Sequence, residues 1–288
     1  MTLARRLIAS DGAEIALHRM RAHRDGRPAV LLVHGAFSGH TVWLRNGRAR
    51  DGGLAYFLGA HGFDVWLADL RGHGASAREP TRFHWRFEDW ILKDTPTLVA
   101  RVVEETGGAP LVWIGHSSGG AVGLCWLARL GGAALPLAAC VTLGTPGPLR
   151  MGAVRRGAAW SIARLTRLLG RFPSRALGFG PENESAGVLG QWMGWNVAGS
   201  WRGDDGFDYW SGLGRVRVPY LGVAGASDWL FAPPAACQQV VDAVGAARKE
   251  LFVTAPGIDH KGLLLDSRAP QDFWPRVAAW LDETLGTR

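Results

Sequence analysis

Short runs of apolar residues recur along the chain, and they constrain its fold more than any other feature. Residues 29–33 and 111–114 carry only apolar side chains, as strands do when helices cover both faces of a parallel sheet. Helical patterns at 95–105 and 119–130 lie between such runs. Alternating strands and helices need crossover connections, which predicts an α/β fold with a mainly parallel, doubly wound sheet. Further strands are predicted at 63–67, 138–143, 220–224 and 251–254, and residues 3–20 are predicted to form two strands around the turn Ser10-Asp11-Gly12.

The interval between the strands predicted at 138–143 and 220–224 is too long for a single crossover helix. Residues 147–214 are rich in arginine, glycine and tryptophan and contain no clear buried strand. We therefore predict a helical cap insertion over the carboxyl ends of the strands, the edge at which open α/β sheets bind ligands. In this division, residues 1–146 and 215–288 form the core domain.

The composition is typical of a globular protein rather than a disordered or membrane-spanning one. The 288 residues are 47% hydrophobic and 20% charged, and no apolar run reaches the ~18 residues of a membrane span. Arg5 and Arg6 are not followed by the apolar segment of a secretory signal, so we expect a cytoplasmic protein. Cys125 and Cys140 fall in apolar runs and are predicted to be buried thiols.

The net charge of +7 and the pI of about 10 raise the question of an anionic partner. Only Lys93, Lys249 and Lys261 among the 32 basic residues are lysines, and the arginines are spread along the chain without a nucleic-acid-binding motif. We predict no nucleic-acid partner. No ligand spacing in the sequence suggests a metal, no cofactor is predicted, and the sequence does not indicate an oligomeric state.

A Gly-x-Ser-x-Gly sequence, Gly115-His116-Ser117-Ser118-Gly119, stands directly between a predicted strand and a predicted helix. A sharp turn there strains the backbone of the middle residue, and the glycines let strand and helix approach closely. The hydroxyl of Ser117 would then lie at a helix N-terminus, where the dipole stabilises developing negative charge. The pattern predicts Ser117 as a nucleophile, with a glycine-rich turn carrying an incidental serine as the alternative.

Two further motifs follow predicted strands, His34-Gly35-Ala36-Phe37 and the Asp-Leu-Arg-Gly-His-Gly-Ala-Ser sequence at 69–76. Together with the serine motif, they make the chain resemble the α/β-hydrolase superfamily, in particular its serine esterase and lipase-like members. Residues 94–107 are similar to acid lipases and polyhydroxyalkanoate-type hydrolases. The resemblance implies an oxyanion hole formed by the backbone N–H groups of Ala36 and Ser118. We interpret the 69–76 loop as structural.

The other two catalytic residues follow from chain order, because in this fold the nucleophile precedes the acid and the acid precedes the histidine. His260 is the only one of nine histidines after Ser117 and is the predicted general base. Asp228, in a turn after the strand at 220–224, resembles the family's acid. A histidine must be neutral to act as base, so activity is expected to rise through about pH 6 to 7. The alternative acids lie in the cap: Asp204, Asp205 and Asp208.

A triad of Ser117, Asp228 and His260 predicts hydrolysis of small-molecule carboxylic esters, with apolar acyl groups, through an acyl-enzyme intermediate. A thioesterase or an amidase could use the same triad. A non-catalytic binding protein of this fold would be expected to lack one of the three residues. The candidate pocket residues are Phe37, His116, Trp192, Trp195 and Trp229, and the alternative position for Trp192 and Trp195 is the core of the cap.

The first cap helix has two chemically different sides. Apolar residues spaced by three or four form one stripe, and arginines cluster on the opposite side. We favour a lid helix whose stripe packs on the active site, and the alternative is peripheral contact with a membrane or lipid surface. The stripe comprises Met151, Val154, Ala158, Ile162, Leu165, Leu169 and Phe172, and the opposite side carries Arg156, Arg164, Arg167 and Arg171 together with Trp160.

Overall fold

A computed structural model describes residues 3–20, 28–47, 52–76, 84–131, 137–148 and 152–286. Ten strands are found there: β1 Leu3–Ser10, β2 Ala13–Met20, β3 Ala29–Val33, β4 Asp64–Asp69, β5 Leu111–His116, β6 Leu137–Leu143, β7 Arg171–Phe172, β8 Glu184–Ser185, β9 Tyr220–Ala224 and β10 Lys249–Val253. Eight of them form one sheet in the order β1-β2-β4-β3-β5-β6-β9-β10, and β7 pairs with β8. All pairs from β4 to β10 are parallel, whereas β1–β2 and β2–β4 are antiparallel.

Helices cover both faces of this sheet, as the apolar runs predict. In β5, Leu111 and Trp113 belong to one buried apolar cluster, and Val112 and Ile114 belong to the other. Successive strand residues point to opposite faces, so a strand buried on both sides must be apolar throughout. The predicted α/β fold with a mainly parallel, doubly wound sheet is therefore confirmed. The helices are α1 Leu54–Ala60, α2 Phe87–Asp89, α3 Thr95–Glu105, α4 Ser118–Leu130, α5 Ala153–Leu169, α6 Ala186–Ala198, α7 Tyr209–Gly212, α8 Pro234–Ala243, α9 Gly262–Leu265, α10 Ala269–Asp272 and α11 Trp274–Leu285.

The segment between β6 and β9, which we call the cap (residues 152–214), contains α5, α6, α7 and the β7–β8 pair. Helix α6 is anchored in the core, because Val188 and Trp195 are buried in the cluster that also holds α4. Helix α5 lies against α6. Among the helices of the described ranges, none has both the length and the apolar sequence needed to cross a membrane.

The apolar stripe of α5 does not pack on the active site, contrary to the favoured prediction. Among the side chains of α5 that the structure describes, Ala159 and Thr166 alone are buried, whereas Val154, Leu165 and Leu169 are exposed. The side of α5 that is buried against the rest of the protein is therefore not its most apolar side. Phe172, beyond the end of α5, is partly buried. Met151 lies outside the described residues.

Helix α4 follows the predicted nucleophile, and its position depends on a close contact with β5. A Cβ atom added to Gly123 would lie 2.3 Å from Nε1 of Trp113, whose indole ring is fully buried. A buried ring cannot move aside without disturbing its neighbours. Glycine at this position therefore lets the helix lie close to the sheet.

We predict that Gly123→Ala lowers the free energy of unfolding by about 1–3 kcal/mol, because the added methyl group overpacks the contact with Trp113. Urea unfolding followed by tryptophan fluorescence measures this change. The matched control is Gly157→Ala in α5, where nothing lies within 4 Å of the added atom. This change should stabilise the protein by about 0.5–1 kcal/mol. Equal effects of the two substitutions would contradict the packing argument.

Candidate active site

The turn between β5 and α4 holds Ser117 in an unusual backbone conformation, with φ 52° and ψ −121°. A non-glycine residue in such a region costs of order 1–3 kcal/mol and persists only where its surroundings enforce it. Here the N–H of Ser117 donates to the carbonyl of Leu143 at 2.8 Å, and the hydroxyl of Thr145 donates to the carbonyl of Ser117 at 2.8 Å. Both bonds tie the turn to β6 and the loop after it.

Glycines on both sides of Ser117 allow three backbone segments to meet. A Cβ atom on Gly119 would lie 2.4 Å from the carbonyl oxygens of Val33 and His34, and one on Gly115 would lie 2.4 Å from the N of Gly120. Glycine at 115 is therefore required by the contact between β5 and the start of α4, and glycine at 119 is required by the contact between the serine turn and the end of β3. This contact places the loop after β3 beside Ser117.

Asp228 and His260 form a buried hydrogen-bonded pair, with 2.7 Å between His260 Nδ1 and Asp228 Oδ2. Asp228 also accepts hydrogen bonds from the N–H groups of Phe231 and Ala232, each at 3.0 Å. Burial by itself would raise the pKa of Asp228, but the bond from His260 and the two amides hold the pKa below its ordinary value. An ionised carboxylate only accepts, so Nδ1 of His260 carries the proton and Nε2 is the acceptor nitrogen.

The loops that carry this pair are bound to each other. The N–H of Ser227 donates to the carbonyl of Ile258 at 2.9 Å, and the N–H of Gly257 donates to the hydroxyl of Ser227 at 2.8 Å. A Cβ atom on Gly225 would lie 2.8 Å from the carbonyl oxygen of Ile258. These contacts fix the spacing between the loop after β9 and the loop after β10.

Two further histidines near the site are buried and neutral. The Nε2–H group of His116 donates a hydrogen bond to the carbonyl oxygen of His260 at 3.1 Å. Burial lowers the pKa of His116 to about 3. Nε2 of His34 accepts from the N–H of Leu70 at 3.1 Å, and Nδ1 of His34 donates to the carbonyl of Gly35 at 2.7 Å. Burial lowers the pKa of His34 to about 4. Both imidazoles use their ring nitrogens to hold backbone in place.

A cavity of about 200 Å³ opens onto Ser117 and His260. Its polar lining includes His116 and Lys261, and the rest is mainly apolar. The rings of Phe37 and Phe179 lie 6.1 Å apart at one wall, where the loop after β3 meets the cap. The apolar lining residues are Ala36, Phe37, Val42, Phe179, Pro181, Phe231, Leu264 and Leu265.

Of the five residues predicted for the pocket, Phe37 and His116 line the cavity, and the three tryptophans do not. Trp192 stacks on Phe87, with ring centroids 5.1 Å apart, and Trp195 is buried in the core cluster. Both rings contact Phe87 of α2 and Trp201 of the cap rather than the serine turn. Trp229 is 72% exposed. Periodicity indicates that an aromatic residue is buried, but it does not indicate which buried space the residue fills.

The two amides predicted for the oxyanion hole differ in their present partners. The N–H of Ala36 donates to the hydroxyl of Ser118 at 2.6 Å. The N–H of Ser118 belongs to the first residue of α4, where no intrahelical acceptor exists. The sequence does not indicate that the Ser118 hydroxyl would bind this loop.

The alternative acids in the cap have other partners. Asp204 pairs with Arg86, and Asp205 pairs with Arg129. Asp208 accepts a hydrogen bond from the N–H of Ser211 at the start of α7. Of the four candidate acids, Asp228 is the one bonded to His260.

The fold and these motifs agree with a known family. The alpha/beta hydrolase fold family matches residues 28–190, more than half of the chain. The chain belongs to this family. The prediction of an α/β-hydrolase with a likeness to esterases and lipases is therefore confirmed.

Curated lipases are similar to parts of the chain. Lipase member N of Mus musculus is 30% identical over 127 residues, which cover 40% of this chain and 31% of that protein. Gastric triacylglycerol lipase of Homo sapiens is 32% identical over 104 residues, which cover 34% of this chain and 26% of the lipase. The chain spans about a third or less of the length of these curated relatives.

Solved structures show the same hydrolase fold over nearly the whole chain. A soluble variant of monoglyceride lipase from Saccharomyces cerevisiae, in complex with a substrate analog, has a TM-score of 0.75 at 18% identity and covers 99% of this chain and 95% of its own. A thermophilic esterase from Thermogutta terrifontis has a TM-score of 0.62 at 19% identity, covering 98% of each chain.

Among the described residues, one group has ligand atoms close enough to hold a metal ion: His18 in β2, His40 in the segment after β3 and Asp69 at the end of β4. Both imidazoles contact Oδ2 of Asp69, at 3.1 Å and 2.8 Å, and their rings are stacked 3.8 Å apart. The Asp69 carboxylate also accepts from the N–H groups of His40 and Ala75. These hydrogen bonds give the cluster a structural role, because the Asp69 carboxylate connects β2, the segment after β3 and the loop after β4.

We predict that His116→Gln reduces the pH dependence of stability. Neutral, buried His116 contributes stability that is fully present above its unfolded pKa of about 6.5 and is lost as pH falls toward 3. From pH 7.5 to pH 5, the loss of unfolding free energy should be about 2 kcal/mol smaller in the variant than in the wild type. Urea unfolding at the two pH values measures it. Identical losses would show that His116 is not held neutral.

Proposed function

We propose that this protein is a serine hydrolase that cleaves carboxylic esters of apolar acyl groups through an acyl-enzyme intermediate. The observation that carries the proposal is the convergence of Ser117, in its strained turn, with His260 at one cavity. Hydrogen bonding of His260 Nδ1 to Asp228 leaves Nε2 as a base. The lipase relatives support ester bonds as the target.

In the proposed first step, Ser117 Oγ attacks the acyl carbon while its proton passes to Nε2 of His260. The imidazolium formed is stabilised by the Asp228 carboxylate, and it returns the proton to the departing alcohol. The acyl group is then an ester of Ser117. A water molecule then gives a proton to Nε2 of His260 and attacks the acyl carbon of this ester. As the bond between the acyl carbon and Oγ breaks, His260 returns the proton to Oγ of Ser117 and the carboxylic acid is released.

The proposed oxyanion hole consists of the N–H groups of Ala36 and Ser118. Since the N–H of Ala36 is bonded to the Ser118 hydroxyl at 2.6 Å, the substrate oxygen has to replace that hydroxyl as acceptor. The exchange becomes favourable as negative charge develops on the oxygen, because a charged acceptor forms the stronger bond. Because the Ser118 hydroxyl competes for the N–H of Ala36, this amide binds the charged oxygen of the transition state in preference to the neutral oxygen of the substrate.

The apolar lining of the cavity supports an acyl group as the occupant. Phe37 and Phe179 form one wall, and Leu264 and Leu265 also line the cavity. The Asp228 and Glu184 carboxylates are buried and already bonded to protein groups, and no carboxylate is among the described residues that line the cavity. An acyl chain therefore meets apolar surface beyond the serine.

We predict that Ser117→Ala abolishes hydrolysis of p-nitrophenyl esters and labelling by a fluorophosphonate probe, because the nucleophile is lost. The matched control is Ser161→Ala, an exposed serine in the cap helix α5, which should retain both. Labelling of the Ser117→Ala protein at the wild-type rate would sink the proposal. Hydrogen-exchange or unfolding measurements on the same variant verify that it is folded.

We predict that Asp228→Asn lowers kcat on the order of 10⁴-fold, because the amide favours the wrong tautomer of His260. The KM should change little, since Asp228 does not line the cavity. Asp208→Asn in the cap serves as the comparison and should leave kcat near the wild-type value. A larger loss in Asp208→Asn than in Asp228→Asn would reassign the acid.

We predict that kcat/KM for p-nitrophenyl octanoate exceeds that for the acetate by at least about tenfold, because each buried methylene stabilises binding by up to about 0.8 kcal/mol. Phe179→Ala should reduce this ratio, and Phe179→Leu should largely preserve it. A preference for acetate in the wild type would contradict the apolar pocket.

A further inference from the structure

The outer side of helix α5 carries large apolar side chains that nothing in the described structure covers. Val154 is 87% exposed, Leu168 is 76% exposed and Trp160 is 62% exposed. Burying such side chains in the core is the usual outcome of folding, and contiguous exposed ones mark an interaction surface. We call the following set the cap face: Val154, Trp160, Ile162, Leu165, Leu168 and Leu169.

Exposed apolar residues continue from α5 to the mouth of the cavity. Leu177 and Phe179 follow in the segment before β8, and Phe179 itself lines the cavity. Trp229 and Leu230 are exposed next to Phe231, another lining residue. Apolar side chains therefore border the mouth from two separate parts of the chain.

The charge around the cap face has one sign. Residues 153–181 contain six arginines and no aspartate or glutamate. In the described part of the chain, the exposed side chains of Arg156, Arg164 and Arg167 form no ion pair with a carboxylate. The guanidinium of Arg164 lies 5.5 Å from the ring centroid of Trp160. Arg156, Arg164 and Arg167 are thus placed beside apolar groups and are not paired with a carboxylate of the described residues.

We infer that the cap face docks on an anionic lipid surface, with α5 lying in the plane of the interface. Exposed leucines and a tryptophan on a helix flanked by arginines are the combination that such surfaces bind, the apolar groups entering the acyl boundary and the cations meeting the headgroups. Each arginine near an anionic leaflet contributes about fivefold in binding.

Charge complementarity favours lipid over a second copy of this chain. In a two-fold dimer, the same patch faces itself. The arginines of residues 153–181 would then face arginines, with no acidic residue in that segment to pair with them. Docking on lipid also directs the cavity mouth toward the interface, since Phe179 belongs to both the mouth and the exposed surface.

Docking on lipid goes beyond the proposed hydrolysis. It is tested on the Ser117→Ala protein, in which the proposed nucleophile is absent, so that the result does not depend on hydrolysis. Co-sedimentation with phosphatidylcholine vesicles is compared with co-sedimentation with vesicles of mixed phosphatidylcholine and phosphatidylglycerol, at low and high salt. We expect binding to the mixed vesicles at low salt, weakened by high salt, and little binding to phosphatidylcholine alone. Failure to bind the mixed vesicles would overturn the inference and leave the proposed hydrolysis untouched.

The arginines are tested by a triple variant, Arg156→Gln with Arg164→Gln and Arg167→Gln. We expect its partition coefficient to fall on the order of 100-fold, about fivefold for each cation. In the matched control, three exposed arginines outside the cap are replaced instead, Arg5, Arg248 and Arg276. The partition coefficient of this control should fall much less. Equal losses in the two variants would show that net charge, rather than the cap face, attracts the vesicles.

The apolar part is tested by Leu165→Ser with Leu168→Ser, which should weaken binding at both salt concentrations. In the background with Ser117 intact, the same changes should leave hydrolysis of soluble p-nitrophenyl acetate unaltered, because neither residue lines the cavity. Sedimentation velocity tests the competing explanation, which is self-association of the protein through the cap face. A dimer that these substitutions dissociate, without vesicle binding by the unsubstituted protein, would assign the cap face to self-association and overturn the lipid proposal.

Discussion

Backbone contact between the serine turn and the end of β3 determines where every other part of the site can lie. Gly119 has no side chain, and a Cβ atom there would lie 2.4 Å from the carbonyl oxygens of Val33 and His34. The loop after β3 can therefore approach α4 closely enough for Ala36 to bond the Ser118 hydroxyl. The strain at Ser117 depends on the same packing, because the hydrogen bonds from the turn to β6 hold a conformation that an isolated chain would leave.

Buried polar groups extend this rigidity to the cap. The carboxylate of Glu88 accepts hydrogen bonds from Gln191, Tyr209 and the N–H of Asp204, all three in the cap. Nε2 of His73 lies 3.2 Å from Oε2 of Glu184, and both residues are fully buried. Burial alone would lower the pKa of His73, but the charge of Glu184 raises it. Such pairs are costly to separate, so the cap stays attached to the core where these residues lie, while α5 remains exposed.

The accuracy of the sequence predictions follows the strength of the physical signal. Strands β3 and β9 coincide with the predicted runs at 29–33 and 220–224, because burial on both faces leaves little room for polar residues. The pocket was less predictable. Trp192 and Trp195 are spaced as core residues, and burial in the aromatic cluster satisfies that pattern as well as an acyl pocket would. The stripe on α5 was ambiguous for a similar reason, since an amphipathic pattern does not specify whether protein or lipid covers it.

The roles of the histidines depend on which ring nitrogen stays available, and that is a property of the fold rather than of the motifs. Nε2 of His34 accepts from the amide of Leu70, and Nε2 of His116 donates to the carbonyl of His260. His73 is fully buried against Glu184. His260 is bonded through Nδ1 to Asp228, and its ring lines the cavity with Ser117. Chain order singles out the same residue from the sequence. A base for Ser117 needs an acceptor nitrogen that no backbone group occupies, and among these four histidines that condition favours His260.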